Sequence, residues 1–296
     1  MFLQQVVNGL TLGSVYALIA LGYTMVYGIL ELINFAHGEI YMVGAYLGII
    51  FLGIFTAAGL TSYSLSLTLV LTFLLSVIFC SAYGFTIEKI AYKPLRNAPR
   101  LSPLISAIGV SIFLQNYVML TQGATDKVFP QLFPLSAFEV FSIRITYMQL
   151  FILITSGVVM LLLRFFVRKT KMGKAIQAVA QDKTMASLVG INIDTIISVT
   201  FIIGSGLAAV AGLMVAMYYG LVNYSIGYIA GIKAFTAAVL GGIGSIRGAM
   251  FGGMLLGLVE SLGASYISGE YKDAFAFILL IIILLIKPGG LFGKSV

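Results

Sequence analysis

The chain has 296 residues, 60% hydrophobic and 9% charged, with a formal net charge of +7 and a mean hydropathy of +1.08. Soluble domains carry roughly 25% charged residues, so this composition excludes a large water-solvated enzyme. Most of the basic residues sit in two short runs, a pattern of membrane topology rather than of nucleic-acid binding.

Residues 1–30, 40–87, 101–125, 145–163 and 195–232 carry no charge. A helix crosses the hydrocarbon of a bilayer with about 20 apolar residues. In chain order, the pattern predicts segments over 6–30, 39–59, 64–87, 103–122, 147–167, 195–219, 229–243, 249–267 and 274–287. The segment 229–243 is short and contains Lys233, so it reads as a full crossing or a half-helix. The expectation is one all-α polytopic bundle over 1–296, with eight or nine transmembrane segments. No basic residue or small-residue cleavage site accompanies the first segment, which is read as a retained helix rather than a signal peptide.

Lys89, Lys93, Arg96 and Arg100 make one basic loop; Arg164, Arg168, Lys169, Lys171, Lys174 and Lys183 make the other. The positive-inside rule puts both in the cytoplasm, with the C-terminus (Lys287, Lys294) beside them and the N-terminus external. The loop at about 123–146, with Pro130 and Pro134, is nearly balanced in charge and suits the outer face as a short hairpin or helix.

Chemistry-bearing motifs are sparse. Gly293-Lys294-Ser295 resembles the end of a phosphate loop, but the required first glycine falls at Pro288. Gly204-Ser205-Gly206 mimics a dinucleotide fingerprint without a preceding strand. Gly204, Ala208 and Gly212 repeat every four positions, as do Gly44 with Gly48, Gly248 with Gly252, and Gly253 with Gly257. These read as small residues that let helices approach. The one His, His37, leaves no metal cluster or Ser-His-acid triad on a usual plan. Cys80 lies in an apolar run as a small hydrophobe. No catalytic or metal residue is expected.

Four groups of polar residues stand out. Glu31 to Glu39, holding Asn34 and His37, links two apolar segments without a flanking Lys or Arg. It is either an embedded break in the helices, tolerated only inside protein or beside a water-filled cavity, or an interfacial turn. Lys233 and Glu260 lie in apolar surroundings, where they either pair, snorkel or serve transport. Gln115 and Asn116, mid-helix, either glue helices together or line a path. Finally, 172–191 reads as a short amphipathic helix, with Ile176, Val179 and Ala180 opposite Lys174, Gln177, Gln181 and Lys183. It is either an interfacial anchor or a partner-docking surface, with Asp182, Ala186 and Gly190 forming a small ridge at four-residue spacing.

Asn8 to Leu18, Ile33 to Glu39, Gly190-Ile191, Lys233 to Ser245 and Pro288 to Gly293 resemble the LivH-type permease subunit of bacterial branched-chain amino-acid ABC importers, in order over nearly the whole chain. The resemblance implies an inner-membrane subunit that pairs with a related, LivM-like permease. It also implies two cytoplasmic ATPase subunits that hold the ATP and Mg, and a periplasmic or lipoprotein solute-binding protein. This chain itself would carry no cofactor. The segment at about 168–194 takes the place of a coupling helix, with Gly173, Ala180, Asp182, Ala186 and Gly190 as its docking residues. The usual Glu-Ala-Ala pattern is degenerate here, at Met185-Ala186-Ser187. Asn34, His37, Glu39, Gln115, Asn116, Lys233 and Glu260 become candidates for the translocation path or gate. Similar permeases carry urea, amides or other amino acids, so these remain alternative substrates. An ion-coupled transporter or channel and a structural scaffold are the rival classes.

Overall fold

The structure, a computed structural model, describes residues 1–99, 101–133, 137–140 and 143–293. Arg100, Pro134, Lys294 and Ser295 of the sequence reading lie outside the described residues.

Lipid leaves backbone polar groups no partner but the chain itself, which makes long apolar runs helical. They form α1 (Phe2–Leu30), α2 (His37–Ala57), the short α3 (Leu60–Tyr63), α4 (Leu65–Ile87), α5 (Leu101–Gln122) and α6 (Tyr147–Lys169). There follow α7 (Lys171–Gln181), α8 (Lys183–Leu188), α9 (Ile193–Tyr219), α10 (Ile226–Gly241), α11 (Ile246–Tyr266) and α12 (Lys272–Ile286). Polar side chains set several starts: Ser64, Thr146, Asp182, Asn192 and Ser245 each accept a bond from a first-turn N–H.

The expected count of eight or nine spans is corrected. Among the described residues, seven helices are long and apolar enough to cross a membrane: α1, α2, α4 with its extension to Leu95, α5, α6, α9 and α11. α10 has 16 residues and α12 has 15. At 1.5 Å per residue they rise about 24 and 22 Å, short of a hydrocarbon core of about 30 Å. The two expected segments concerned, 229–243 and 274–287, are themselves only 15 and 14 residues long, so apolar character without the length for a crossing is what inflates the expected count.

α1 and α9 are the interior helices. In their most apolar windows, 89% and 83% of residues are buried, against 17% for α5 and 28% for α4 and α6. Glycine sets the close contacts. A Cβ on Gly13 of α1 would lie 2.7 Å from Met254 Cα of α11, and one on Gly44 of α2 would lie 2.7 Å from Ala209 Cα of α9. The small residues read from the sequence are thus at helix crossings.

The bundle has two distinct ends. One gathers Lys89, Lys93 and Arg96, the α6 C-terminus, α7, α8, the start of α11 and the tail that follows α12. There Arg96 pairs with Asp194, and the Leu291 N–H donates to Leu240 O at 2.9 Å. We call it the basic end. At the other end, Gln4 Nε2 donates to Arg144 O at 2.9 Å, and Ser261 Oγ donates to Gln5 O at 2.9 Å. Lys127–Val128 pairs antiparallel with Leu221–Val222, and Ala137–Val140 forms a hairpin with Ile143–Thr146.

Candidate functional site: a membrane cavity and its two ends

The linker between α1 and α2 decides the geometry of the interior. Glu31, at φ +57°, closes α1 in a left-handed turn. The chain then folds back into the bundle rather than turning at its surface. Asn34, Ala36, His37 and Glu39 are all buried. Asn34 Oδ1 accepts twice, from the Ala36 N–H at 3.1 Å and from the Tyr92 hydroxyl at 2.8 Å, which ties the linker to the α4 extension. The His37 ring packs edge-on to Tyr23, 4.7 Å between centroids. It also lies against Gly22 and Gly204. Gly204 is about 16 Å along α9 from its start, so α2 begins at membrane depth. Of the two readings left open by the sequence, the embedded break is the one formed.

Glu39 occupies the first turn of α2, where the helix dipole favours a negative charge. The Ser111 hydroxyl donates to Glu39 Oε1 at 3.0 Å. Glu39 Oε2 is buried without a hydrogen-bond partner among the described residues. Ser111 also faces a cavity of about 420 Å³, lined by Tyr23, Phe35, Ile108, Ile112, Gln115, Tyr228, Phe235 and Leu280. Its wall is therefore mostly aliphatic and aromatic, with Ser111 and Gln115 as its polar points, and it is shared by α1, the linker, α5, α10 and α12.

Gln115 lines this cavity, while its neighbour Asn116 is exposed and donates to Ile112 O of its own helix at 2.8 Å. Lys233 and Glu260 do not reach it. They form an ion pair of 2.8 Å between α10 and α11, with Glu260 fully buried. Asp273 joins Lys233 at 2.5 Å, and Lys272 joins Glu260 at 3.2 Å. Four charges thus lock α12 to α10 and α11 near the end opposite the basic one.

At the basic end, α7 and α8 replace the single helix expected over 172–191. Asp182 separates them, capping α8 through the Met185 N–H at 2.9 Å. Gly173 is buried against Val167, and Ile176 and Val179 are buried with it. Ala186 is buried too, whereas Ala180, Asp182 and Gly190 are all exposed. The Asp182, Ala186, Gly190 ridge therefore does not present one face. What projects instead is an apolar tip of Met185, Leu188 and Val189, the last two each 75% exposed.

Sequence reasoning did not single out Glu88, the acid next to Lys89 at the start of the first basic loop. It lies in a π-helical turn, Glu88–Tyr92, fully buried. Its carboxylate pairs with Arg96 and accepts from Ser198 Oγ at 2.8 Å, while Asp194 holds Lys93 at 2.8 Å. This network fixes the α4 extension to the start of α9. Among the described residues, no three His, Cys, Asp or Glu side chains gather as a metal site requires.

Membrane-length helices around a small apolar cavity, beside a linker folded into the bundle, define a polytopic membrane permease. The chain belongs to the family described as branched-chain amino acid transport system / permease component, whose model matches residues 5–284. It is 53% identical over 298 residues to the high-affinity branched-chain amino acid transport system permease protein LivH of Salmonella typhimurium, covering 99% of this chain and 96% of that protein. The Escherichia coli protein of the same name is 52% identical, again over 99% of this chain and 96% of the relative. BraD of Pseudomonas aeruginosa, likewise a high-affinity branched-chain amino acid transport system permease protein, is 51% identical over the same shares. No solved structure matches the chain.

Proposed function

We propose that the chain carries leucine, isoleucine, valine or related amino acids across the bacterial inner membrane as one half of the path of an ATP-driven importer. The observation that carries this reading is the cavity of about 420 Å³, together with what surrounds it. Its wall suits a branched aliphatic side chain, and its polar points at Ser111 and Gln115 suit a zwitterionic backbone. Glu39, behind Ser111, keeps one carboxylate oxygen without a hydrogen-bond partner among the described residues.

α5 and α12, which flank the cavity, leave most of their apolar surface uncovered. Ile105, Ile112, Ile281 and Leu285 are all exposed. A second, LivM-like permease seated against these helices would close the cavity into a central path. The basic end faces the cytoplasm under the positive-inside rule, which leaves the N-terminus external. Two ATPase subunits grip α7 and α8 there and supply the ATP and Mg chemistry, so this chain is no enzyme and needs no cofactor. A periplasmic or lipoprotein solute-binding protein delivers substrate at the opposite end. Closure of the ATPase pair moves α8, and the permease pair opens outward in response.

Uptake of labelled leucine, urea and short amides by the assembled transporter in vesicles tests the substrate. Saturable leucine uptake, unaffected by excess urea, is expected. Uptake of urea or amide alone would overturn the assignment. The rival ion-coupled class needs a carboxylate in the membrane that is free to take the coupling ion. Glu260 is paired with two lysines, which leaves Glu39, with one oxygen unpartnered among the described residues, as the group that class would use.

A further inference from the structure

Two adjoining hollows at the basic end share the residues Arg164 and Arg168. The first, about 450 Å³, is lined by Arg164, Arg168 and Arg247, with Gln177 and Ser245 at its edge. It has no acidic residue in its wall, and none of the three arginines has an ion-pair partner among the described residues. Ser245 caps the start of α11, a helix of 21 residues, whose amide end adds positive potential. The second hollow, about 590 Å³, runs up α6 between Val158, Leu161, Leu162 and Phe165. These four side chains are exposed, so on a membrane helix they meet acyl chains.

Depth matches this arrangement. Counting from Tyr147, Arg168 lies about 31 Å along α6, at the headgroup level of a hydrocarbon core about 30 Å thick, and Arg164, about 25 Å along, is one turn deeper with its guanidinium within snorkelling reach of that level. A guanidinium matches phosphate bidentately and keeps its charge at any physiological pH.

We propose that this is a binding site for an anionic phospholipid, with the phosphate among Arg164, Arg168 and Arg247 and an acyl chain along Leu161, Leu162 and Phe165. The continuous apolar groove favours a lipid over free phosphate or an acidic protein segment. The lipid would brace α6 against the start of α11, beside α7. The site depends only on membrane insertion and not on the substrate or the ATPase assignment.

The full transporter in nanodiscs of phosphatidylcholine, with and without phosphatidylglycerol, tests it by native mass spectrometry and thermal melting. Each basic residue near an anionic surface is worth about a fivefold preference. We therefore expect phosphatidylglycerol to be retained and to raise the melting temperature, and Arg164→Gln/Arg168→Gln/Arg247→Gln to lose at least about tenfold of the preference. The triple Arg→Lys variant should keep part of it, which separates charge from folding. Equal protection by inorganic phosphate would overturn the lipid assignment. So would a triple Gln variant that retains phosphatidylglycerol but sheds the ATPase subunits, since the surface would then belong to a protein partner.

Discussion

Lys233 shows how a single charge in an apolar helix is made tolerable. Its ammonium meets Glu260 and Asp273 and lies 5.8 Å from the Tyr16 ring centroid. Removing one partner of a buried pair strands the other and costs about 3–5 kcal/mol. Lys233→Met should therefore lower the melting temperature of the purified permease markedly, while Lys233→Met/Glu260→Met should recover most of the loss. Equal destabilisation by the two variants would contradict the pairing. Cavity residues make a different prediction. Ile112→Trp, at an exposed position on its wall, should cut leucine uptake about tenfold or more and leave the melting temperature of the isolated chain unchanged. Unaltered uptake would remove the cavity from the path. The sequence marked Glu39, Gln115, Lys233 and Glu260 as unusual because ionisable and amide groups are expensive in lipid. It could not separate cavity from clamp, because that depends on which helix lies opposite. The exposed Asn116, satisfied on its own helix, was indistinguishable from Gln115 for the same reason.

Helices were the legible elements. Nearly uncharged runs put the expected segment 147–167 onto α6, Tyr147–Lys169, and 195–219 onto α9, Ile193–Tyr219. What failed was the assumption that every apolar run crosses. α10 and α12 fall short because runs of 15 and 14 residues, 229–243 and 274–287, lack the length to cross whatever their hydropathy. The segment 172–191 shows a second limit. Its periodicity holds at Ile176 and Val179, which are buried, but not at Ala180, which is exposed, and Asp182 favours a cap over a helix interior and breaks the segment in two. The break turns Leu188 and Val189 outward as an apolar tip, which under the proposed function would enter a groove of the ATPase subunit. Leu188→Asp/Val189→Asp should abolish co-purification of the ATPase subunits while leaving stability within about 0.5 kcal/mol of the parent, as for exposed positions generally. Retained co-purification would place the docking surface elsewhere.

At the scale of the molecule, a central pair of helices, α1 and α9, carries the fold, and the more exposed α4, α5 and α6 are left for lipid and partners. The two-ended charge distribution was readable from the sequence, because Lys and Arg cluster where hydrocarbon ends. The embedded linker was one of two readings left open by its lack of flanking Lys or Arg, whereas the cavity beside it was not readable, since its wall comes from segments far apart in the chain. The account makes this permease a conduit without a motor, coupled through its basic end. The direct test is leucine uptake in vesicles holding this chain with its partner permease, its solute-binding protein and ATPase subunits, compared with vesicles holding this chain alone. Uptake that needs ATP on the side of the basic end and vanishes without the ATPase subunits is the predicted result. Leucine movement through the chain alone, indifferent to ATP, would contradict it.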